Sequence, residues 1–378
     1  MPAAVRVLHV TKKLPPVPGG DATAVAGLSA AQRRKGYEVD VLAYRAAGVE
    51  ASEHVHLAGP VQRPAQLDRI GVRRVWAMRA LGRWAREHLP GLRPDVVHAH
   101  AVDVGWPVAQ AARALGIPTV LTCHGVWFTA RGPRSPLGRL EKSLIVRGGY
   151  AAITSVDTAS VKALRGAGFP QATLVPNGID PSEFKGHMAH GGPFRFLCVA
   201  RLVPQKGIDL LVQAAALARP RTREPFAVVV VGDGPLRFRL QDLAKARGVE
   251  DFVLFRGSLP RHELLLMLQT ADAFVLPSRF EGFPIAILEA WAAGVAVVAT
   301  AVGGIPDACT SAEALLVPPE DPAALAEAMA ALLADPIRRE AMIRAGRELV
   351  EKRYAWDAIV DAYAPVYERA IHGGRSPG

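Results

Sequence analysis

Short runs of β-branched and apolar residues alternate with longer stretches of helical periodicity from one end of the chain to the other. That rhythm is expected of parallel sheets joined by crossover helices. In the first half the strand candidates are 5–10 (VRVLHV), 37–44 (YEVDVLAY), 95–99 (DVVHA), 118–122 (PTVLT), 150–155 (YAAITS) and 173–175 (TLV), six strands for one open sheet. A second series follows at 194–200, 226–232, 252–255, 273–277, 295–300 and 314–317. Its near-continuous apolar character is what burial on both faces demands. Between the two series, 181–193 (PSEFKGHMAHGGP) has no periodicity and reads as a linker. Residues 335–352 and 356–371 are helical in pattern, and the last piece can fold back over the linker. The expected architecture is α/β, with two doubly wound domains at 1–185 and 186–355 facing across a cleft and a helix with a tail at 356–378. Ligands of such sheets bind outside the carboxyl ends of the strands.

The chain has 378 residues, a length that suits two domains rather than one. Half of it is apolar, which excludes a disordered chain. Mean hydropathy is only +0.16. The longest apolar stretch, 285–302, carries Glu289 in its interior, so no membrane span is expected. Cys123, Cys198 and Cys309 stand far apart, which fits neither a disulfide framework nor a thiolate metal site and suits a reducing, cytoplasmic setting. The first apolar run precedes its basic residues, the wrong order for a secretory signal.

Charge changes the picture when it is divided. The formal total is +10, but residues 1–185 hold 24 basic and 13 acidic side chains, and the remainder is nearly neutral. A one-sided excess of this kind is expected of a half that meets an anionic surface or polymer, or of a solvated face rich in arginine. Eight arginines fall between 63 and 93 (63, 69, 73, 74, 79, 83, 86 and 93). Arg79, Arg83 and Arg86 share one side of a helix, with Trp76 and Trp84 expected elsewhere on it. This segment is either an interfacial helix drawn to anionic lipid, peripheral on the inner face of the membrane, or a core helix with a solvated basic face. A nucleic-acid binder would need exposed aromatics among its basic residues, and aromatics are only 6% of the chain.

The most specific motif is 280–294, FEGFPIAILEAWAAG. Pro284 suits the first turn of a helix beginning around Phe283, which leaves Glu281 at its mouth and Glu289 nearly two turns in. A helix N-terminus attracts phosphate, whereas carboxylates beside a phosphate suit neutral hydroxyls such as those of a sugar or ribose. The alternative is a capping glutamate and a solvated one. Glu289, between Leu288 and Ala290 with Ile287 and Trp291 beyond them, argues against it because a carboxylate on so apolar a helix needs a partner. The second motif, VARLVPQKGID at 199–209, places Arg201 and Lys206 at and just beyond a strand's carboxyl end. Two cations there can hold a diphosphate, the arginine as a fork and the lysine as a point charge.

Together these motifs resemble the large family of retaining glycosyltransferases of GT-B fold that use nucleotide sugars, the family 4 type (glycosyl transferases group 1), which includes mannosyl-, glucosyl- and N-acetylglucosaminyltransferases. The E-x7-E pattern with EGFP, the R-L-x-x-x-K-G loop, VGDGPL (231–236), PNGID (176–180) and GGIPD (303–307) occur in family order across nearly the whole chain. The resemblance implies two Rossmann-like domains, the first binding acceptor and the second donor. It implies that Glu281 holds hydroxyls of the transferred sugar and Glu289 those of the ribose, while Arg201 and Lys206 neutralise the diphosphate. Backbone amides near Phe283 and Ile285 would assist, with Gly282 and Pro284 beside them in the donor site, and Phe255, Arg256 and Gly257 would line the base. In the first half, PVPGGDA (16–22) looks like the family's glycine loop, with Gly19 and Gly20 approaching the phosphates, and His124 matches its histidine beside the sugar.

The implied activity is metal-independent transfer of a hexose-type sugar from a UDP- or GDP-sugar to a glycan, lipid-linked or small-molecule acceptor, with no cofactor and no nucleic-acid partner. No two aspartates stand two apart, so the D-x-D pair used by the other major glycosyltransferase fold is missing. GDGP at 232–235 has Arg237 where a dinucleotide fingerprint needs glycine. His98 and His100 alternate on a strand and invite a metal reading, but no third ligand stands at a recognisable spacing. An inactive nucleotide-sugar-binding protein is the remaining alternative, and the intact Glu281, Glu289, Arg201 and Lys206 set disfavours it.

Overall fold

A computed structural model describes residues 4–17, 19–62, 72–125 and 135–373. The chain divides into two compact units, one running to Gly178 and resuming at Trp356, the other spanning Ile179–Ala355.

The first unit is built on a parallel sheet of seven strands: β1 (Arg6–Thr11), β2 (Glu38–Ala46), β3 (Val55–Gln62), β4 (Val96–Ala99), β5 (Thr119–Cys123), β6 (Ala152–Ser155) and β7 (Thr173–Leu174), in the order β3-β2-β1-β4-β5-β6-β7. The pattern of apolar residues predicts six of these. β3 escapes it because His54, His56, Gly59 and Pro60 interrupt the apolar run, which an edge strand tolerates. On one face Leu8, Val10, Val97, Ala99, Leu121 and Ile153 join a core shared with the helices Val72–Leu92 and Val102–Ala114. The residues between them, His9, His98, Thr122 and Thr154, point the opposite way and are fully buried. That second face is covered by the helices Gly20–Arg34 and Trp356–Gly373. The last helix thus returns to pack into the first unit. Trp356 seats it, filling space left by two glycines: a Cβ at Gly27 would lie 2.3 Å from its Nε1, and one at Gly178 2.5 Å from its Cε3.

The second unit has six parallel strands: β8 (Phe194–Val199), β9 (Phe226–Val231), β10 (Val253–Gly257), β11 (Ala273–Leu276), β12 (Ala296–Thr300) and β13 (Ala314–Val317), in the order β10-β9-β8-β11-β12-β13. All six match the apolar runs. Phe196, Val228, Val230, Val275 and Val298 pack with the helices Ile208–Ala218 and Pro322–Ala334. Each such side chain taken from water contributes roughly 1.5–3 kcal/mol. The expected linker is a correction: residues 181–193 are tied to this unit. Phe184 is buried, the Met188 amide donates to the Gln269 carbonyl, and His190 Nε2 lies 2.9 Å from Asp272. The chain enters and leaves the unit side by side, with Ile179 bridged to Ala355 and its amide 2.8 Å from the Tyr354 carbonyl.

Candidate functional site

In the second unit three loops follow the carboxyl ends of β8, β11 and β12, and backbone geometry forces them together. Gly207 has φ 62°, and a Cβ there would stand 2.0 Å from the Pro277 carbonyl oxygen. Gly303 has φ 57°, and its Cβ would stand 1.8 Å from the Glu281 carbonyl oxygen. No other residue fits either position. The approach carries the turn Pro204–Lys206 onto the loop before the helix Ile285–Ala292, where Lys206 Nζ lies 2.6 Å from Glu281 Oε1. The same oxygen accepts a hydrogen bond from Ser278 Oγ at 2.6 Å. Glu281 is only 5% exposed, and a carboxylate so placed without a cation would cost several kcal/mol.

Arg279 fixes the two loops to each other. Its guanidinium donates to both oxygens of Asp209 (2.7 and 2.8 Å), to Glu320 and to the Pro204 carbonyl. The Arg279 fork holds the Asp209 carboxyl below the usual carboxylate range. The Gln205 side chain adds a bond to the Phe280 carbonyl at 3.0 Å. Bidentate geometry of this kind gives direction as well as energy. The sequence motifs leave out Arg279 and Ser278, and they contain Asp209 without giving it a role. Asp209 closes the K-G-I-D run, and its carboxylate two residues past an obligatory glycine is the one signal that could have drawn attention to it.

Glu289, in the first turns of the helix, is 7% exposed. Its required partner is Arg261, which contacts Oε1 and also donates to Glu183 Oε2 at 2.7 Å. Burial pushes the Glu289 carboxyl above its ordinary value, and Arg261 acts in the other direction. The helix itself begins at Ile285 with Pro284 as its N-cap, slightly later than the pattern suggests. Gly282 accepts from the Gly304 amide at 2.9 Å, and Phe283 packs against Tyr354 at 5.1 Å. Arg256 is exposed on β10, where the ladder shifts register between Phe255 and Gly257. Arg201 is exposed just beyond β8.

In the first unit Gly19 caps and Gly20 opens the helix Gly20–Arg34, both exposed. His124 follows β5 and is half-buried; its ring meets His100 Nδ1 at 3.1 Å through Nε2, and Asn177 hydrogen-bonds it as well. Burial lowers its pKa, opposed by the Asp21 carboxylate and reinforced by Lys12. The third histidine that sequence spacing did not supply is His9, whose strand partner is His98. One ring nitrogen from each of His9, His98 and His100 lies within 4.8 Å of the others. Every ring nitrogen of the three is nonetheless engaged by protein: His9 by Gln32 and His100, His98 by Tyr367 and Thr122, His100 by His9 and His124. The cluster is a hydrogen-bonded layer with no lone pair left for an ion.

The arginine-rich segment is described in part: residues 63–71 lie outside the described residues, as do the side chains of Arg73 and Arg74. From Val75 onward, Ala77, Leu81, Ala85 and Leu89 are buried, while Trp76, Arg79, Arg83 and Arg86 form one exposed stripe. Trp76, 61% exposed, thus lies on the arginine face, contrary to expectation. Trp84 leaves that face and stacks on His88 at 4.6 Å. Among the described residues no helix is long and apolar enough to cross a membrane.

Two family profiles cover most of the chain: Glycosyltransferase Family 4 matches residues 18–183 and Glycosyl transferases group 1 matches residues 180–349. The chain is 31% identical to a glycogen synthase of Mycobacterium tuberculosis, over 99% of this chain and 97% of that protein. It is 33% identical to a GDP-mannose-dependent alpha-(1-6)-phosphatidylinositol monomannoside mannosyltransferase of the same species, over 72% of this chain and 78% of that one. In fold it is similar to sucrose-phosphate synthase of Thermosynechococcus elongatus, with a TM-score of 0.80 at 22% identity over 98% of this chain and 100% of the other.

The histidine layer has a consequence for stability. Burial drives the pKa of His9 down to about 4 and those of His98 and His100 well below 6.5. The unfolded chain binds protons on these rings below pH 6.5, and the folded chain does not until far lower. Stability present above pH 6.5 is therefore lost as the pH falls from 6.5 towards 4. Thermal or urea unfolding followed across this range should show about three extra protons bound on unfolding. A flat profile between pH 6.5 and 5 would contradict the buried, neutral assignment.

Proposed function

The chain belongs to glycosyltransferase family 4, the glycosyl transferases of group 1, whose members are retaining, nucleotide-sugar-dependent enzymes of GT-B fold; from that premise we propose that it transfers a hexose-type sugar from a UDP- or GDP-sugar to a glycan, lipid-linked or small-molecule acceptor. The observation that carries the donor-site reading is the buried Glu281 carboxylate held by Lys206 at the carboxyl end of a parallel sheet. In this reading Glu281 takes hydroxyls of the sugar, Glu289 those of the ribose, and Arg201 and Lys206 the diphosphate. The amides near Phe283 and Ile285 assist at the helix N-terminus, with Gly282 and Pro284 beside them, and Arg256 and Gly257 line the base. In the first unit Gly19 and Gly20 address the phosphates and His124 the sugar.

Breaking the bond from the anomeric carbon to the diphosphate places negative charge on the departing oxygen and positive charge on the sugar. Arg201 and Lys206 answer the first without needing a divalent ion. Retention fits a front-face route: the acceptor oxygen bonds to the anomeric carbon on the face the diphosphate leaves, and the diphosphate takes the acceptor's proton. The relatives' names, a glycogen synthase and a lipid mannosyltransferase, support a glycan or lipid acceptor. The exposed Trp76, Arg79, Arg83 and Arg86 stripe supports a peripheral, cytoplasmic position on anionic lipid, with basic side chains drawn to the headgroups and the indole inserted at the interface.

A thermal-shift panel of UDP, GDP and ADP should single out one nucleotide, since a ligand at 100 times its dissociation constant adds ~2.7 kcal/mol. With the matching sugar nucleotide, Lys206→Ala and Glu281→Ala should each lose most transfer while remaining folded. Near-normal turnover in either folded variant would overturn the donor-site assignment, and a donor that binds but is never turned over would favour the inactive binding protein.

The membrane reading is tested by flotation with anionic and with neutral liposomes. Salt-sensitive binding to the anionic set alone, weakened in an Arg79→Ala/Arg83→Ala/Arg86→Ala variant, is expected. No binding to the anionic set means that the arginine stripe is a solvated face.

A further inference from the structure

A sheet face packed against two helices is ordinarily apolar, because each buried polar group must find a hydrogen bond to offset its lost hydration. The face of β1, β4 and β5 beneath the helices Gly20–Arg34 and Trp356–Gly373 departs from this. It carries a continuous chain of hydrogen bonds that starts at Gln32 and ends at His124. Gln32 Oε1 lies 2.6 Å from His9 Nε2, His9 Nδ1 lies 2.8 Å from His100 Nε2, and His100 Nδ1 lies 3.1 Å from His124 Nε2. Gln32, His9 and His100 are all nearly inaccessible to solvent. The other end of the Gln32 amide is anchored, its Nε2 donating to Tyr367 Oη at 2.9 Å, and Tyr367 is in turn bonded to His98 Nδ1 at 2.7 Å.

This arrangement has a direction. The Gln32 amide oxygen can only accept, so His9 must present Nε2–H to it. A neutral imidazole donates from one nitrogen and accepts at the other. His9 Nδ1 therefore accepts from His100 Nε2–H, and His100 Nδ1 accepts from His124 Nε2–H. The lone pair of His124 is left on Nδ1. Burial keeps the intermediate rings neutral, so the chain conveys which nitrogen holds the proton and carries no charge. Asn177, Asp21 and Lys12 also act on the His124 ring, but none of them belongs to this chain.

We propose that Gln32, His9 and His100 are positioning residues that hold His124 in its Nε2–H tautomer and in a fixed ring orientation for sugar transfer. The proposal rests on the reading of His124 as the histidine that meets the donor sugar. It extends that reading to three residues that meet no substrate, the most distant of which lies three hydrogen bonds away.

The test uses the full chain labelled with 15N-histidine, the His124 resonances being assigned with a His124→Gln variant. Wild-type protein should show His9, His100 and His124 all protonated on Nε2; a predominant Nδ1–H form or a mixture at His124 overturns the proposal without any variant. Gln32→Leu removes the acceptor that sets the direction and should shift His124 to mixed tautomers. UDP-glucose, GDP-mannose and ADP-glucose are then offered, and for the one turned over Gln32→Leu should lower kcat about tenfold or more with KM little changed, as expected when a ring acts from the wrong tautomer. His100→Leu should do the same, whereas His100→Asn, whose amide oxygen replaces Nδ1 as acceptor, should recover most of kcat. Equal losses in the Asn and Leu variants, or a changed tautomer with kcat unchanged, would overturn the proposal. Should wild-type protein turn over none of the three sugars, the donor reading fails by itself and the nitrogen spectra decide the tautomer relay.

Discussion

A carboxylate buried at the carboxyl end of a parallel sheet is tolerable only beside a cation, and Glu281 meets that condition through Lys206. Much of the second unit can be understood as what is required to bring those two side chains within 2.6 Å of each other. Gly207 and Gly303 permit backbone approaches that any Cβ would block. Arg279 then locks the approaching loops with a fork on Asp209 and further bonds to Glu320 and the Pro204 carbonyl. Glu289 repeats the pattern within the helix that follows, with Arg261 as its cation. In the proposed donor site these pairs orient both side chains before a sugar nucleotide arrives, and the bound nucleotide supplies hydroxyls to the glutamates and phosphates to Lys206.

The first unit solves a different problem with different chemistry. Its buried histidines are neutral, so they satisfy one another through hydrogen bonds instead of ion pairs. Such a network is stabilising only when every member is matched, and a single unpaired buried nitrogen costs about 1–3 kcal/mol. This explains why the C-terminal helix returns to this unit: Tyr363 and Tyr367 close the network at Thr122, His98 and Gln32. Trp356 then fixes the helix against Gly27 and Gly178.

The strands of the second unit were legible because burial on both faces leaves an uninterrupted apolar run. β3 was not, since an edge strand can carry histidine, glycine and proline. The segment 181–193 looked like a linker because its ties to the fold are specific pairs, such as His190 with Asp272, and these leave no periodic trace. The two glutamates, Lys206 and His124 were visible through motif spacing, and so was the need of Glu289 for a partner. The identity of that partner, Arg261, was not visible, because it comes from a helix 28 residues earlier in sequence. Arg279 was hidden for the same reason. Its bonds cross to residues 41 and 70 positions away. His9 joins His98 and His100 only through strand pairing, which spacing along one strand cannot reveal.

The competition for Lys206 tests the central constraint most directly. Lys206 is paired with Glu281, so in the proposed donor site a nucleoside diphosphate must take the lysine from the carboxylate. Titration calorimetry of the preferred nucleoside diphosphate against wild-type protein, Glu281→Gln, Lys206→Met and the double variant measures that coupling. Glu281→Gln should bind the diphosphate several-fold more tightly than wild type, Lys206→Met more weakly, and the gain from Glu281→Gln should vanish once Lys206 is gone. A Glu281→Gln effect of the same size and sign with and without Lys206 would contradict the account.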